Sequence, residues 1–482
     1  MRSVLLPLTD RNLSVWANII YSISQWIFLL YLLGLAAGYL MLEIIAGLHL
    51  RRYMEERSLA SLPHGYTSFE PQISLLVPAY NEEATIASSI RSLLQLSYSE
   101  YEIVAINDGS TDKTLEVLIK EFALMPFPEA YDRQLVTEAI RNIFHSTTHP
   151  NLRVIDKMNG GKADSLNAGI NISRYPLFCC IDADSILQRD SLRLVVQPFL
   201  DDPLTVACGG TVRIANGCEV KNGFLTAIGL PTNFLALFQI VEYLRSFLFG
   251  RLGWSTMNAM LIISGAFGVF HKDTVVTVGG YHPGTIGEDM ELVVRLHRHL
   301  RLQGQPYRIT YVPDPVCWTE APEDLHTLKN QRIRWQRGLC ESLTKNMDLL
   351  FHPKGGAVGW LAFPFMVLFE WLGPVIEVVG YVLVIVGFMM GFVSVEVSLS
   401  FLLLAISLGI LLSVTAVLLE EISFHVYPKP RHVWLLFLAA IAENFGYRQL
   451  NSVWRLIGLV KWLRGGKAQW GEMSRKASWK IR

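Results

Sequence analysis

The chain has 482 residues, 51% of them hydrophobic and 17% charged, with 42 basic and 42 acidic side chains. That length exceeds one ordinary domain, and the apolar excess leans towards a membrane protein. Zero net charge, with no basic tract interleaved with aromatics, argues against nucleic acid as a partner.

No charged residue stands between Arg11 and Glu43, a stretch longer than the roughly 20 residues that cross a bilayer. A signal peptide would have a shorter apolar core and a small-residue cleavage site, so residues 1–50 read as a retained transmembrane anchor. Arg2 and Arg11 precede the apolar stretch, and Arg51, Arg52 and Arg57 follow it. That bias favours the cytoplasm for what comes after Leu50. Residues 51–350 then read as a soluble α/β domain. β-rich runs at 73–78 and 101–106 are each followed by a polar turn and a helical pattern, at 83–96 and 112–122. Further strands are expected at 152–156, 175–182 and 204–214. Strands alternating with helices of this length predict a mostly parallel, Rossmann-like sheet.

Residues 123–150 break the rhythm with three prolines and mixed charge, and read as an insertion. Residues 234–254 are apolar and aromatic, with Glu242, Arg245 and Arg251 as the only charges. They predict a helix, either in the membrane interface or simply buried. Residues 351–464 return to the membrane. The stretch 359–393 carries Pro364, Glu370, Pro374 and Glu377, and reads as an interfacial helix leading into a crossing from about Pro374. The uncharged run 397–419 is a second clear crossing. The turn at 394–400 has no basic residue, whereas Lys429 and Arg431 follow the crossing, so the first faces outside and the second the cytosol. The run 432–441 is short and meets Glu443, Asn444 and Arg448. It forms an interfacial hairpin or one more crossing, the hairpin being favoured, ahead of a basic tail at 465–482. The six cysteines (Cys179, Cys180, Cys208, Cys218, Cys317 and Cys340) have no C-x-x-C spacing, and read as buried thiols with neither zinc nor a disulfide framework.

Five clusters in the soluble block carry chemistry, together with an acidic pair. The apolar run ending in Asp182-Ala183-Asp184 puts two carboxylates on one side of an extended strand end, where open α/β sheets bind ligands. Oxygen ligation there suits Mg²⁺ or Mn²⁺ with a phosphate-bearing substrate, although such a pair also serves as a turn or cap. Pro78-Ala79-Tyr80-Asn81-Glu82-Glu83 either caps a helix or lies where a nucleotide base docks. In Asn107-Asp108-Gly109-Ser110-Thr111-Asp112, Asp112 is a candidate N-cap and Asp108 an acceptor for a nucleobase N–H. Gly160-Gly161-Lys162-Ala163 opens a helix with close backbone approach and a point charge for phosphate. Ala163 stands where a P-loop needs Ser or Thr. Gly287-Glu288-Asp289 heads a helix over 290–302. Its acids stabilise the helix dipole, or Asp289 is a general base, with Glu288 facing elsewhere. In Gln331-Arg332-Ile333-Arg334-Trp335, helical spacing puts Gln331, Arg334 and Trp335 on one face and turns Arg332 away.

Asp108, Asp182-Ala183-Asp184, Gly287-Glu288-Asp289 and Gln331-x-x-Arg334-Trp335, in that order, resemble the processive family 2 glycosyltransferases: cellulose, chitin and hyaluronan synthases, and especially bacterial poly-β-1,6-N-acetylglucosamine synthases. The resemblance covers about residues 72–350. It implies a GT-A fold set between transmembrane helices, a hexosyltransferase that inverts the anomeric carbon of a UDP-sugar (UDP-GlcNAc as the best match), and a divalent metal, Mg²⁺ or Mn²⁺. It further implies a β-linked exopolysaccharide of the biofilm type, exported through the chain's own helices across the inner membrane, with the catalytic domain cytoplasmic. Carried over, Tyr80, Glu82 and Asp108 hold the nucleotide, Lys162 and Arg334 the diphosphate, and Asp182 and Asp184 the metal and nucleotide. Asp289 becomes the base. Gln331 and Trp335 hold the acceptor end, and Ser264-Gly265-Ala266-Phe267 resembles the loop lining the acceptor site. The donor, the growing polysaccharide and the bilayer are the implied partners, with an accessory export subunit or a homo-oligomer also compatible. Some relatives have more anchors before the catalytic block, the 123–150 insertion is not part of the pattern, and no cyclic-di-GMP-binding tail follows. A single-transfer enzyme acting on a polyprenyl-phosphate or glycolipid, and an inactive nucleotide-sugar-binding scaffold or transport subunit, are the competing readings.

Overall fold

The run Ile-Ser-Leu-Leu-Val-Pro-Ala forms β1 (Ile73–Ala79), buried at every residue but Pro78, as a strand covered on both faces of a parallel sheet must be. The computed structural model describes residues 8–60, 70–221, 223–390, 394–465 and 480–481. Arg2 and nearly all of the basic tail lie outside the described residues.

Parallel to β1 run β2 (Tyr101–Asp108) on one side and β6 (Leu177–Ile181) on the other, with β5 (Leu152–Lys157) beyond β2. Past β6 the sheet becomes mixed. β11 (Phe267–His271) pairs antiparallel with both β6 and β8 (Thr205–Ile214), β12 (Arg308–Thr319) runs parallel to β8, and β7 (Ile186–Leu187) closes that edge. The helices α2 (Ile86–Leu93), α3 (Thr114–Glu121), α4 (Lys162–Ile172) and α5 (Ser191–Asp201) lie between successive strands. The predicted mostly parallel α/β sheet is therefore present, and one apolar cluster lies on each face of it. All six cysteines are free and buried.

The insertion at 123–150 contains sheet rather than loop. β3 (Leu124–Pro126) and β4 (Ile140–Ser146) extend the far edge antiparallel to β5. Half-exposed edge strands lack the apolar signature that revealed the others. Glu129 clamps the addition, accepting from Arg153 at 2.9 Å and Arg174 at 2.5 Å. A separate small sheet joins β9 (Glu219–Lys221), β10 (Phe224–Ala227) and β13 (Lys480–Ile481).

Among the described residues two helices are long and apolar enough to cross a membrane, within α1 (Leu8–Ala60) and α13 (Val395–Ser423), or three if the bent pair ahead of α13 is one span. α1 does not stop at residue 50 but continues to Ala60, where the Tyr53 hydroxyl donates to Asp314 of β12. Ahead of α13, π-helical turns at Val358–Ala362 and Met366–Trp371 flank α11 (Phe363–Phe365) and meet α12 (Gly373–Met389) at a 40° bend. The bend falls where the approach helix is expected to give way to the next one, with Pro374 in the first turn of α12. α14 (Pro430–Ala442) has 13 residues, about 20 Å of helix against about 30 Å of hydrocarbon. α15 (Tyr447–Leu463) then packs on α12 and on α10 (Leu325–Lys345). Residues 234–256 form one rod, α6 (Phe234–Glu242), a π-helical turn and α7 (Arg251–Thr256). The rod is mostly buried, with its π-helical turn against the sheet, α1 and α13, so of the two readings the buried helix is the one realised.

The remaining helices are α8 (Lys272–Thr277) and α9 (Glu288–Leu302). α9 starts where it touches α10 backbone to backbone. A Cβ added at Gly338 would lie 2.9 Å from Gly287 Cα and N. Gly338→Ala is therefore expected to destabilise by about 1–3 kcal/mol, read as a lower melting temperature in detergent. An unchanged melting temperature would mean that the two helices part freely.

Candidate active site

β2, β1 and β6 lie side by side and end together, so their following loops converge on one rim of the sheet. The first two loops are zipped to each other. Asn81, with φ 56°, accepts from Thr111 N at 2.9 Å, Glu82 N donates to Thr114 Oγ at 2.8 Å, and Glu83 Oε2 accepts from Lys113 N at 3.0 Å. Asp112 is not the N-cap residue itself. It sits one position earlier, where one of its oxygens takes Thr114 N at 2.9 Å and the other takes Glu83 N at 3.1 Å. Tyr80 is left half exposed at the rim.

Asp108 is buried, and both its oxygens are engaged within the protein. Oδ1 accepts from Lys157 Nζ at 2.5 Å and Gly160 N at 3.0 Å, and Oδ2 from Gly161 N at 2.7 Å. It thus holds the glycine loop that leads into α4, where Gly161 has φ 87°. Lys157, fully buried, is shared between Asp108 and Asp164, the latter at 2.6 Å.

Lys162, the first residue of α4, reaches across the rim to Asp182 Oδ1 at 2.6 Å, Gly265 O at 3.3 Å and Glu288 Oε1 at 3.5 Å. Burial alone would lower its pKa, but Asp182 and Glu288 outweigh burial and hold the ammonium well above its usual range. β11 begins opposite the end of β6, which brings Ser264-Gly265-Ala266 beside Asp182. Gly265 N then donates to Asp289 Oδ2 at 3.0 Å. Glu288, expected to face elsewhere, also enters the site, because both acids lie in the first turn of α9. Burial pushes its carboxyl up to about 7, against the pull of Lys162 and with a push from Asp289.

A cavity of about 1360 Å³ joins these groups. Tyr80, Glu82, Asp108, Lys162, Asp182, Asp184, Ser264, Gly265, Ala266, Asp289, Gln331, Arg334 and Trp335 all line it. Phe267 does not. Its ring is fully buried against Gly210, turned to the other side of the strand from the cavity turn. Arg332 is also corrected. Expected to point away from Gln331, Arg334 and Trp335, it lies buried over the Trp335 ring at 4.4 Å and lines the cavity with them, paired with Glu242 of α6 at 2.8 Å, while α15 packs on α10. Sequence reasoning missed the part played by Glu242, Phe247 and Arg251 in the cavity wall. The one available signal was the presence of three charges in the otherwise apolar run 234–254.

Beyond Trp335 the cavity is also lined by Glu370 and Glu377 and by Leu402, Ile406 and Gly409 of the apolar helix α13. Asp182 and Asp184 are the residues that could hold a metal. Among the described residues no group of three or more His, Cys, Asp or Glu is gathered for one. Two carboxylates suffice for a hard divalent cation whose shell is completed by phosphate oxygens and water, so the donor set fits such an ion.

The chain matches the family described as Glycosyl transferase family 2 over residues 74–226 and Glycosyl transferase family group 2 over residues 177–417, half of its length. It is similar to the poly-β-1,6-N-acetyl-D-glucosamine synthase of Staphylococcus aureus (strain COL), 32% identical over 57% of this chain and 56% of that protein, so the match spans little more than half of that relative. The Staphylococcus epidermidis synthase is 27% identical over 84% of this chain and 87% of its own length. In fold the chain is similar to a mannosyltransferase from Pyrobaculum calidifontis, solved with GDP-Man and Mn²⁺. Identity is 16% and the TM-score 0.53, covering 87% of this chain and 99% of that one.

The raised Glu288 carboxyl predicts a pH signature in the ligand-free protein. Stability that is present below the ordinary carboxylate pKa is lost as pH rises through about 7, because the buried group must then ionise. Glu288→Gln is expected to gain melting temperature over the parent between about pH 5 and 8. Parallel curves would show that Glu288 ionises freely.

Proposed function

This chain belongs to the family 2 glycosyltransferases, and from that premise we propose that it is a membrane-embedded inverting GT-A enzyme extending a β-linked polysaccharide from a UDP-sugar, UDP-GlcNAc first among candidates. The observation that carries the reading is the single cavity that starts at the nucleotide loops, passes Asp289 and Trp335, and ends among membrane helices. A soluble single-transfer site has no need of such a path. The similarity to poly-β-1,6-N-acetyl-D-glucosamine synthases supports the choice of sugar.

In this mechanism Tyr80 and Glu82 flank the base, and Asp108 shapes the glycine loop beneath the phosphates. Lys162 and Arg334 offset the charge growing on the leaving diphosphate. A divalent cation held by Asp182 and Asp184 would supply further charge neutralisation there. Asp289, fixed by Gly265 N at 3.0 Å, takes the proton of the acceptor hydroxyl as that oxygen attacks the anomeric carbon from the side opposite the nucleotide. Displacement in one step inverts the centre, and no covalent nucleophile is required. Gln331 and Trp335 seat the acceptor end, and the aromatic face suits a pyranose. Growth pushes the product into the membrane half of the cavity. The catalytic domain sits on the cytoplasmic side of a multi-pass protein in the cell membrane.

The test is UDP release by nanodisc-held protein with Mg²⁺ or Mn²⁺ across UDP-GlcNAc, UDP-Glc, UDP-GlcA and UDP-Gal. Release is expected with UDP-GlcNAc, with long product on a gel. Asp289→Asn is expected to lower the rate by about 10²–10⁴-fold while leaving donor binding intact. One sugar per lipid acceptor would replace the polymerase with a single-transfer enzyme. Silence with every donor, in the presence of candidate export partners, would favour the inactive scaffold.

A further inference from the structure

The far half of the cavity, where α12 and α15 face each other, carries charge that the mechanism does not use. α15 lies antiparallel to the segment that runs from Glu370 into α12, so Arg455 donates to Glu370 Oε2 at 2.7 Å and, further along, the Ser452 hydroxyl donates to Glu377. Residues four apart share a helix face. One turn beyond the Ser452–Glu377 contact, Arg448 of α15 and Tyr381 of α12 are therefore brought together, near enough to feel each other's charge. Arg448 also meets α13. Its Nη1 donates to Asn444 Oδ1 at 3.0 Å, and a Cβ added at Gly409, the middle residue of α13, would lie 2.5 Å from that nitrogen.

Not every charge in this half is paired. Arg455 is neutralised by Glu370 at 2.7 Å and Arg245 by Glu443 at 2.5 Å. Among the described residues Arg448 and Glu377 enter no ion pair, and Glu377 accepts instead from the hydroxyls of Tyr31, at 2.8 Å, and Ser452. Both side chains are only half buried, and both line the cavity together with Tyr381. A ligand in the cavity can thus reach them. On helices read as crossing a bilayer, an ionised group that lacks a counter-charge marks a binding or transport site.

The chemistry of the occupant follows from there being one charge of each sign. A guanidinium offers donors only, and a carboxylate accepts only, at about four sites of which Glu377 has used two. The occupant must therefore present an acceptor to Arg448 and a donor to Glu377. Hydroxyl groups do both, and an uncharged pyranose carries several. An anionic headgroup would meet like charge at Glu377, and an ammonium would meet it at Arg448. We propose that Glu377, Tyr381 and Arg448 form a second sugar subsite, which holds an already linked, uncharged sugar of the product behind the chain end seated at Trp335. The proposal rests on the acceptor-site reading above and deepens it.

The test uses the full chain in nanodiscs with UDP-GlcNAc and N-acetylglucosamine oligosaccharides of graded length, from the disaccharide upwards, and reads the first addition to each. In the parent, kcat/KM is expected to step up by about 10- to 100-fold once the acceptor is long enough to reach the subsite, the range for one hydrogen bond to a charged group. Arg448→Met and Glu377→Gln should each remove that step through a higher KM for the long acceptors, with the donor KM unmoved. The two variants lie on separate helices, so either carries the test if the other does not fold. A step that survives in both variants would overturn the assignment, as would a parent that shows no step or a loss expressed only in the donor KM. A rate set by the anionic lipid content of the nanodisc, and not by acceptor length, would put a headgroup in place of the sugar and overturn it as well. A parent with no transfer from any donor would instead overturn the proposed activity on which the assignment stands, so the two failures are distinguishable.

Discussion

The site depends on one largely buried ammonium. Among the described residues, Lys162 touches the strand end at Asp182, the helix start at Glu288 and the turn at Gly265 together. Without a cation between them, Asp182 and Glu288 would be two carboxylates facing each other across a partly desolvated gap, and mutual repulsion would open it. Lys157 performs the same service one layer deeper, between Asp108 and Asp164. At the rim, Asp108, Asp164, Asp182 and Glu288 are thus each paired with a lysine on or just before α4. In the proposed mechanism an incoming diphosphate would share Lys162 with Asp182, and so would loosen the carboxylate that a cation would need.

Helix α10 is tied to the break before α12 by comparable means. Gln336, the residue after Trp335, donates to the carbonyls of Glu370 at 3.1 Å and Trp371 at 3.3 Å, and accepts from Arg455 Nε at 2.8 Å. Arg455 in turn donates to Glu370 O at 2.5 Å and Oε2 at 2.7 Å, and the Tyr39 hydroxyl donates to the same carboxylate. A helix break leaves carbonyls that lipid cannot satisfy. Here side chains from α10 and α15 satisfy them, so the bend before α12 and the position of Trp335 are fixed by the same hydrogen bonds.

What the sequence disclosed follows from how local each signal is. β1, β2 and β6 are legible as apolar runs because both faces of the sheet are covered, and their acidic ends mark the rim. Gln331, Arg334 and Trp335 are legible because helical spacing is local. The positions of Phe267, Arg332 and Glu288 are not, since each depends on a partner far along the chain. Phe267 turns into the core because Gly210 leaves room for it. Arg332 is drawn inward by Glu242, ninety residues earlier, and Glu288 by Lys162. Strands β3 and β4 escape notice for a different reason, since an edge position asks little apolar patterning of a sequence. The long helices are legible as apolar runs, but the length of α1 is not, because Arg51, Arg52 and Glu55 break the apolar run before the helix ends at Ala60.

Leu42, Ala46 and Leu50 on α1 belong to the same apolar cluster as Phe178 and Cys180 beneath the sheet. The long apolar helix is therefore also part of the interior of the glycosyltransferase body. A cut after this helix would strip a face from the core rather than release a domain. Any chimera that exchanges this helix must exchange its footprint on the catalytic body as well, so the two parts can change only in step.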